Sequence, residues 1–333
     1  MPAYRCLNKQ YFSRGPYSLV PLRYEDRFSI MQWRNQQLYH LRQLRPLTEE
    51  DQQNYFDTVV ARLYDQPRPD QILFSYLDNG ECIGYGGLVH INWNDAHAEV
   101  SFIMETGREE KEFALHWSCF LTMLREVAFV HLHLHKLFTY AFDLRPHLYP
   151  VLESCGFVRE ATLKEHCLYQ GQYKDVVIHS LLAYDFVDYT SCSREQALEV
   201  LSLRNREDIR SLMLNTEPIS EAVHFAFIER LKEDPDRRYY AVYRSGRLLG
   251  SGNLTRVGDG VWERGIIASP QWQGRGETER WERQLIASLP AEVKALSAIV
   301  KSDNARSLAY HRKMGFQERS REGEFIYFIL PLL

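Results

Sequence analysis

The chain has 333 residues, 45% hydrophobic and 25% charged, which is the composition of an ordinary folded protein long enough for two domains. Its 40 basic and 44 acidic residues sum to −4, so it lacks the positive surplus that holds nucleic acid or anionic lipid. No run approaches the roughly 20 apolar residues of a bilayer span, and Met1 to Arg14 lacks the apolar centre of a signal peptide. A cytoplasmic protein with neither nucleic acid nor membrane as partner is expected.

In chain order, a short apolar strand at Tyr17–Arg23 precedes two helical stretches, the second capped by Thr48. Three β-rich runs follow, Gln71–Leu77, Cys82–Trp93 and Ala98–Met104, with Asn79-Gly80 as the hairpin turn between the first two. A helix from about Glu109 to His131 carries Phe113, Trp117, Phe120, Leu124 and Val127 at helical spacing. The strand Lys136–Phe142, a short helix and a closing β pair complete the half. The six cysteines, at 6, 82, 119, 155, 167 and 192, show no close pairing and read as reduced core thiols. His131, His133 and His135 alternate without carboxylate or cysteine partners nearby, so no metal is expected. All cysteines lie at or before Cys192, within the polar stretch 188–194, which places domains at 1–187 and 198–333 with a linker at 188–197.

The second half repeats this order. A strand at Leu198–Leu203 and helices, the second capped by Ser220, precede β runs at Arg238–Arg244, Leu248–Val257 and Val261–Ala268, with Ser245-Gly246 as the turn. A helix at about Gly276–Ser288, a strand at Leu296–Lys301, a short helix and a β pair follow. Local echoes support a true repeat: Ile83-Gly84-Tyr85-Gly86 with Leu249-Gly250-Ser251-Gly252, Glu99 with Glu263, and Gly156-Phe157 with Gly315-Phe316. Arg34-Asn35 before Pro46-Leu47-Thr48 likewise matches Arg204-Asn205 before Pro218-Ile219-Ser220. Antiparallel hairpins feeding a β-α-β unit define an α/β fold with a mixed (α+β) sheet, present twice.

The strongest chemical motif is Gln271-Trp272-Gln273-Gly274-Arg275-Gly276, between a strand and a helix. Such a turn aims several backbone N–H groups and the positive end of the helix at one point, which suits a pyrophosphate. Gly274 and Gly276 permit close approach, and Gln271 or Arg275 can add a donor. Two glycines one residue apart also occur in plain strand-to-helix turns.

The turn, followed by Asn304 through Tyr310 and His311 to Gly315-Phe316, closely resembles the GNAT superfamily of N-acetyltransferases. The resemblance covers Leu198 to Leu333 and implies that the turn, with Ile266, Ile267, Ala268 and Asn304, holds acetyl-CoA as acyl donor, without a metal. The first half resembles the superfamily's ribosomal-protein-acetyltransferase-like branch. It departs at the phosphate turn, where Gly107-Arg-Glu-Glu-Lys-Glu-Phe113 brings carboxylates and no second glycine, and at Asp143-Leu-Arg-Pro146, which replaces the asparagine segment. A degenerate or repurposed domain is expected there.

Acetyl transfer to an amine needs a base, a site for the developing oxyanion and an acid for the leaving thiolate. Backbone N–H groups near Ile267 serve the second need if the strand splays, as it does in the resembled family. Glu263 is the candidate base. For the acid, counting back from Gly315-Phe316 selects His311 and counting forward from Asn304 selects Tyr310. The segments Leu203-Arg204-Asn205, Pro218-Ile219-Ser220 with His224, and Arg238-Tyr239-Tyr240 resemble the subgroup that acetylates nucleotide-activated amino sugars, as in the pseudaminic-acid pathway. A small primary amine such as an amino sugar nucleotide is therefore the leading acceptor. Acetylation of a peptide or protein N-terminus, and a two-domain binding protein with a non-catalytic N-terminal recognition module, are the alternatives. A monomer with pseudo-dimeric pairing of its halves fits the fused repeat.

Overall fold

Asn79 and Gly80 take φ values of 47° and 91°, and Ser245 and Gly246 take 50° and 72°. Two consecutive left-handed residues match the twist of a tight hairpin. Ile72–Asp78 accordingly pairs antiparallel with Glu81–Asn92, and Arg237–Arg244 with Arg247–Gly258. Each hairpin leads to a third antiparallel strand, His97–Met104 or Val261–Ala268, and then through a helix to a parallel neighbour. The computed structural model describes residues 2–41, 43–290 and 292–332, in two compact units, Met1–Ala183 and Tyr184–Leu333.

The first unit has an eight-stranded sheet in the order Phe12–Arg14, Tyr17–Pro21, Ile72–Asp78, Glu81–Asn92, His97–Met104, Lys136–Phe142, Gln172–Leu182, Val158–Tyr169. The second has seven strands: Asp185–Asp188, Arg237–Arg244, Arg247–Gly258, Val261–Ala268, Ala295–Lys301, Phe325–Pro331, Gln317–Glu322. Apart from the extra first strand the orders match, so the α/β fold occurs twice. The helix Thr106–Arg125, continued as a wider turn through His131, buries Trp117, Phe120, Leu124 and Val127 in the first core. Among the described residues Thr106–His131 has the length and hydropathy of a membrane span, and half of its apolar window is buried within the unit. In the second unit Trp281 and Leu285, from Glu277–Ala287, pack on Val242 and Leu249.

The linker and the strand expected at 188–203 are corrected. Tyr189–Ser191 forms a single turn, and Ser193 opens the helix Arg194–Asn205 through a reciprocal capping box with Gln196. Ala197, Val200 and Leu201 are buried at three- and four-residue spacing, so the helical period prevails over the short apolar run. The leading strand of the second unit lies earlier, at Asp185–Asp188, where it pairs with Tyr240–Tyr243.

The Arg-Asn echo has a structural meaning. Asn35 donates to the Leu47 carbonyl at 2.8 Å and accepts from the Leu47 N–H at 2.7 Å. Asn205 does the same with Ile219, at 2.7 and 2.8 Å. Each asparagine thus pins the residue after the proline to the preceding helix. The capping box yields a direct test: Ser193→Ala should remove about 1 kcal/mol of stability, read from urea unfolding. An unchanged midpoint would contradict the helix start assigned here.

Candidate active site in the second unit

Parallel pairing between Val261–Ala268 and Ala295–Lys301 lasts only three residue pairs, ending at Glu263–Ser297. Beyond that point Arg264–Ala268 stays paired with Gly250–Leu254, and Ala298–Lys301 with Phe325–Phe328. The strands part, and the facing edges of the wedge carry backbone groups with no strand partner across it. Ile266, Ile267 and Ala268 lie on this edge. Gly250 sits close behind: a Cβ there would meet the Ile267 carbonyl oxygen at 2.2 Å.

At the mouth of the wedge the chain makes the turn Pro270–Trp272, with Gln271 exposed, and then passes Gly274 and Gly276 with φ of 74° and 76°. Gly276 caps the helix Glu277–Ala287, and no atom lies within 4 Å of a Cβ position at either glycine. The turn is therefore open for close approach, with the helix's positive end behind it. Gln273 donates to the Ala268 carbonyl at 3.1 Å and accepts from Arg306. Arg306 lies in the first turn of the helix Ala305–Lys313, whose cap is Asn304, its Oδ1 accepting from the Ser307 N–H at 3.0 Å. This contact joins the two motifs found in sequence. Arg275 lies over the Trp272 ring at 5.6 Å.

Two carboxylates, Glu277 and Glu279, stand in the first turn of the helix after Gly276, and sequence inspection missed what neutralises them. Glu277 lies 2.6 Å from Arg244 and accepts from the Tyr184 hydroxyl at 3.0 Å. Glu279 pairs with Arg283 at 3.1 Å and with Lys313. Arg244, at the end of a strand beside this helix, was the available signal.

Glu263 sits at the last paired position of the wedge, half-buried on the strand face opposite Trp262 and Arg264. Arg264 is buried, with Nε 2.7 Å from Glu282, and Glu282 also accepts from the Tyr310 hydroxyl. Complete burial pushes the Glu282 carboxyl upward against the pull of Arg264. Burial, and then Glu282, raise the Tyr310 phenol far above its ordinary range, so it keeps its proton. His311 is 4% exposed: its Nδ1–H donates to the Ser307 carbonyl at 2.7 Å, and its Nε2 accepts from Arg264 at 3.1 Å. Burial, reinforced by Arg264, depresses its pKa to about 4. The ring is therefore neutral at pH 7, with a pKa well below the titration range of a free imidazole. Both ring nitrogens are engaged inside the protein.

Residues 19–178 match the acetyltransferase (GNAT) domain and residues 203–316 the acetyltransferase (GNAT) family. The chain belongs to the GNAT superfamily. Both of its units match acetyltransferase models, so it is an acetyltransferase of that superfamily. Acetyltransferase PseH of Campylobacter jejuni strain 81-176 is 23% identical over 143 residues, 43% of this chain and 90% of the relative. The fold also resembles a spermidine N-acetyltransferase from Vibrio cholerae in complex with CoA and spermine, at 22% identity and TM-score 0.45, over 51% of this chain and 96% of the other. A third similar structure is the Campylobacter jejuni N-acetyltransferase PseH in complex with acetyl coenzyme A, at 19% identity and TM-score 0.37, over 45% and 99% of the two chains.

The first GNAT unit keeps the wedge but not the turn. His97–Met104 and Lys136–Phe142 part after the pair Glu99–Phe138, yet a helix starts at Thr106 with Gly107 already inside it. Its opening is filled by internal ion pairs: Arg108 with Glu105 at 3.2 Å and with Asp78 at 3.1 Å, and Arg145 with Glu109 at 3.2 Å. Arg145 stands in the Asp143–Pro146 segment that replaces the asparagine. Among the described residues, no group of three or more His, Cys, Asp or Glu side chains could hold a metal ion.

The His311 environment sets a pH limit. An unfolded imidazole titrates near 6.5, and the folded one near 4, so the unfolded state binds the proton first. Stability should fall as pH drops from about 6.5 to 4, by up to about 3 kcal/mol from this group. His311→Asn should flatten that part of the acid limb in a series of melts. An unchanged slope would refute the buried neutral imidazole.

Proposed function

We propose that the C-terminal unit transfers the acetyl group of acetyl-CoA to a small primary amine, most readily to an amino sugar carried on a nucleotide. The observation that carries this reading is the juxtaposition of an open wedge with the left-handed Gly274–Gly276 turn. The turn's N–H groups, with Arg275 and Arg306 beside it, are suited to the pyrophosphate of the donor. Gln271 and Gln273 border the same turn. The pantetheine arm would then lie in the wedge, where edge groups of Ile266–Ala268 replace a missing strand and Asn304 closes the far end.

In this reading Glu263 takes the proton from the attacking amine, directly or through water. The N–H edge near Ile267 stabilises the oxyanion, and the thiolate leaves with a proton from Tyr310. Between the two candidate acids Tyr310 is favoured, because it holds its proton at neutral pH while both nitrogens of His311 are committed to Ser307 and Arg264. Tyr310 would exchange its bond to Glu282 for one to the leaving sulfur.

A phosphate-bearing acceptor is supported by Arg204 and Arg210, which donate to the carbonyls of Asn215 and Thr216 at 2.6 and 2.8 Å. Among the described residues neither has a carboxylate within ion-pair distance, and the Arg204 Nη1 is buried without a hydrogen-bond partner. Asn205 and His224 have structural roles, clamping Ile219 and bonding the Ala197 carbonyl at 3.1 Å. The similarity to PseH agrees with the same subgroup. A cytoplasmic setting follows from the acetyl-CoA donor.

Initial-rate acetylation of an amino sugar nucleotide, the free amino sugar, spermidine and a peptide N-terminus tests the acceptor class. The nucleotide-linked amine should have the highest kcat/KM, and Arg204→Gln should raise its KM about tenfold without affecting the free sugar. A faster peptide or polyamine would overturn this reading. Glu263→Gln should lower kcat about 10²- to 10⁴-fold, and an unchanged rate would remove Glu263 as the base.

A further inference from the structure

The wedge of the first unit encloses a cavity of about 220 Å³. Its lining combines two guanidinium groups, Arg34 and Arg145, with the aromatic side chains of Phe102, Trp117 and Tyr140. Arg34 is half-buried and donates to neutral partners, the Gln43 amide oxygen at 2.9 Å and the Tyr85 hydroxyl. Among the described residues no carboxylate lies within ion-pair distance of it. Arg145 is 12% exposed and shares its charge with Glu109. Glu99, which also lines the space, is bonded to the exposed ring of His90 at 2.8 Å.

A second, independent feature sits where the strands part. Thr139 follows Phe138, the last paired residue, and is 3% exposed; it is one of the residues around the cavity, and its Oγ1 is buried without a hydrogen-bond partner. A buried hydroxyl left unsatisfied costs about 1–3 kcal/mol, so a ligand that accepts from it recovers that loss. The field in the cavity has the same sign: burial, then Arg145 and Arg34, drive the pKa of His40, another lining residue, down to about 3.

We propose that the first unit binds a small amphipathic carboxylate in this cavity, its carboxylate meeting Arg34 and the Thr139 hydroxyl and its apolar body lying among Phe102, Trp117 and Tyr140. A guanidinium fork matches a carboxylate in geometry and charge. The size fits as well: an apolar cavity of ~150 Å³ accepts benzene, and this one is larger by about the bulk of a carboxylate and one methylene. The site is distinct from the acetyl donor site, because the helix start that would face a pyrophosphate is closed by its own ion pairs.

The full chain should be titrated with phenylacetate, with its neutral isostere phenylacetamide, and with inorganic phosphate, by calorimetry and by thermal shift. Phenylacetate should bind at least tenfold more tightly than the amide and than phosphate. Arg34→Gln and Thr139→Val should each weaken it about tenfold or more, while circular dichroism and the melting profile of the full chain report that the variants remain folded. Equal binding of acid and amide would overturn the carboxylate site even if Arg34→Gln fails to fold. Absence of binding to the unmodified chain, tighter binding of phosphate, or unchanged binding by a folded Arg34→Gln variant would overturn it too.

Discussion

A parallel strand pair that separates after three residue pairs leaves backbone groups that neither solvent-free packing nor a neighbouring strand can satisfy. In the second unit the separation begins at Glu263–Ser297, and each later feature of the site is arranged around it. Gly250 lets the strand behind approach Ile267, and the turn at Gly274 and Gly276 carries the chain over the mouth of the wedge. The Gln273–Arg306 contact fastens that mouth to the helix beginning at Asn304. In the proposed reading, the amide-bearing arm of acetyl-CoA would pair with the open edges of the wedge.

Behind the wedge, the buried set Arg264, Glu282, Tyr310 and His311 ties the two flanking helices to the strand. Breaking one member of such a set leaves an uncompensated charge, whereas the intact set fixes geometry more than it adds stability. Tyr310 is held in this set by its bond to Glu282, in the placement that its proposed role as the acid requires. His311, one residue on, has both ring nitrogens bonded within the set and to Ser307.

The repeat also shows how one fold diverges. Both units retain the hairpin, the wedge, the Asn clamp and the glycine approach, with a Cβ at Gly84, the counterpart of Gly250, placed 2.8 Å from the Ile103 carbonyl oxygen. The first unit has replaced an eight-residue passage from Ser269 to Gly276 by an immediate helix start at Thr106, and has set ion pairs where phosphate oxygens would lie. Much of this was legible in sequence, because glycine turns, Asn-Gly hairpins and strands such as Val261–Ala268 leave local signatures. The helix Arg194–Asn205 was misread because Leu198–Leu203 is too short to separate strand from helix by apolar content, although Ser193 and Gln196 carried its capping signal. The neutralisation of Glu277 by Arg244 and the burial of His311 depend on contacts distant in sequence. Residue types alone do not show them.

The central claim is that a single unit holds the acyl donor, and the stoichiometry of acetyl-CoA binding to the full chain tests it most directly. Calorimetric titration should give one site per chain, and that site should be lost in Gly276→Asp, where a carboxylate meets the pyrophosphate. Two sites per chain, or one site that survives Gly276→Asp, would contradict the account.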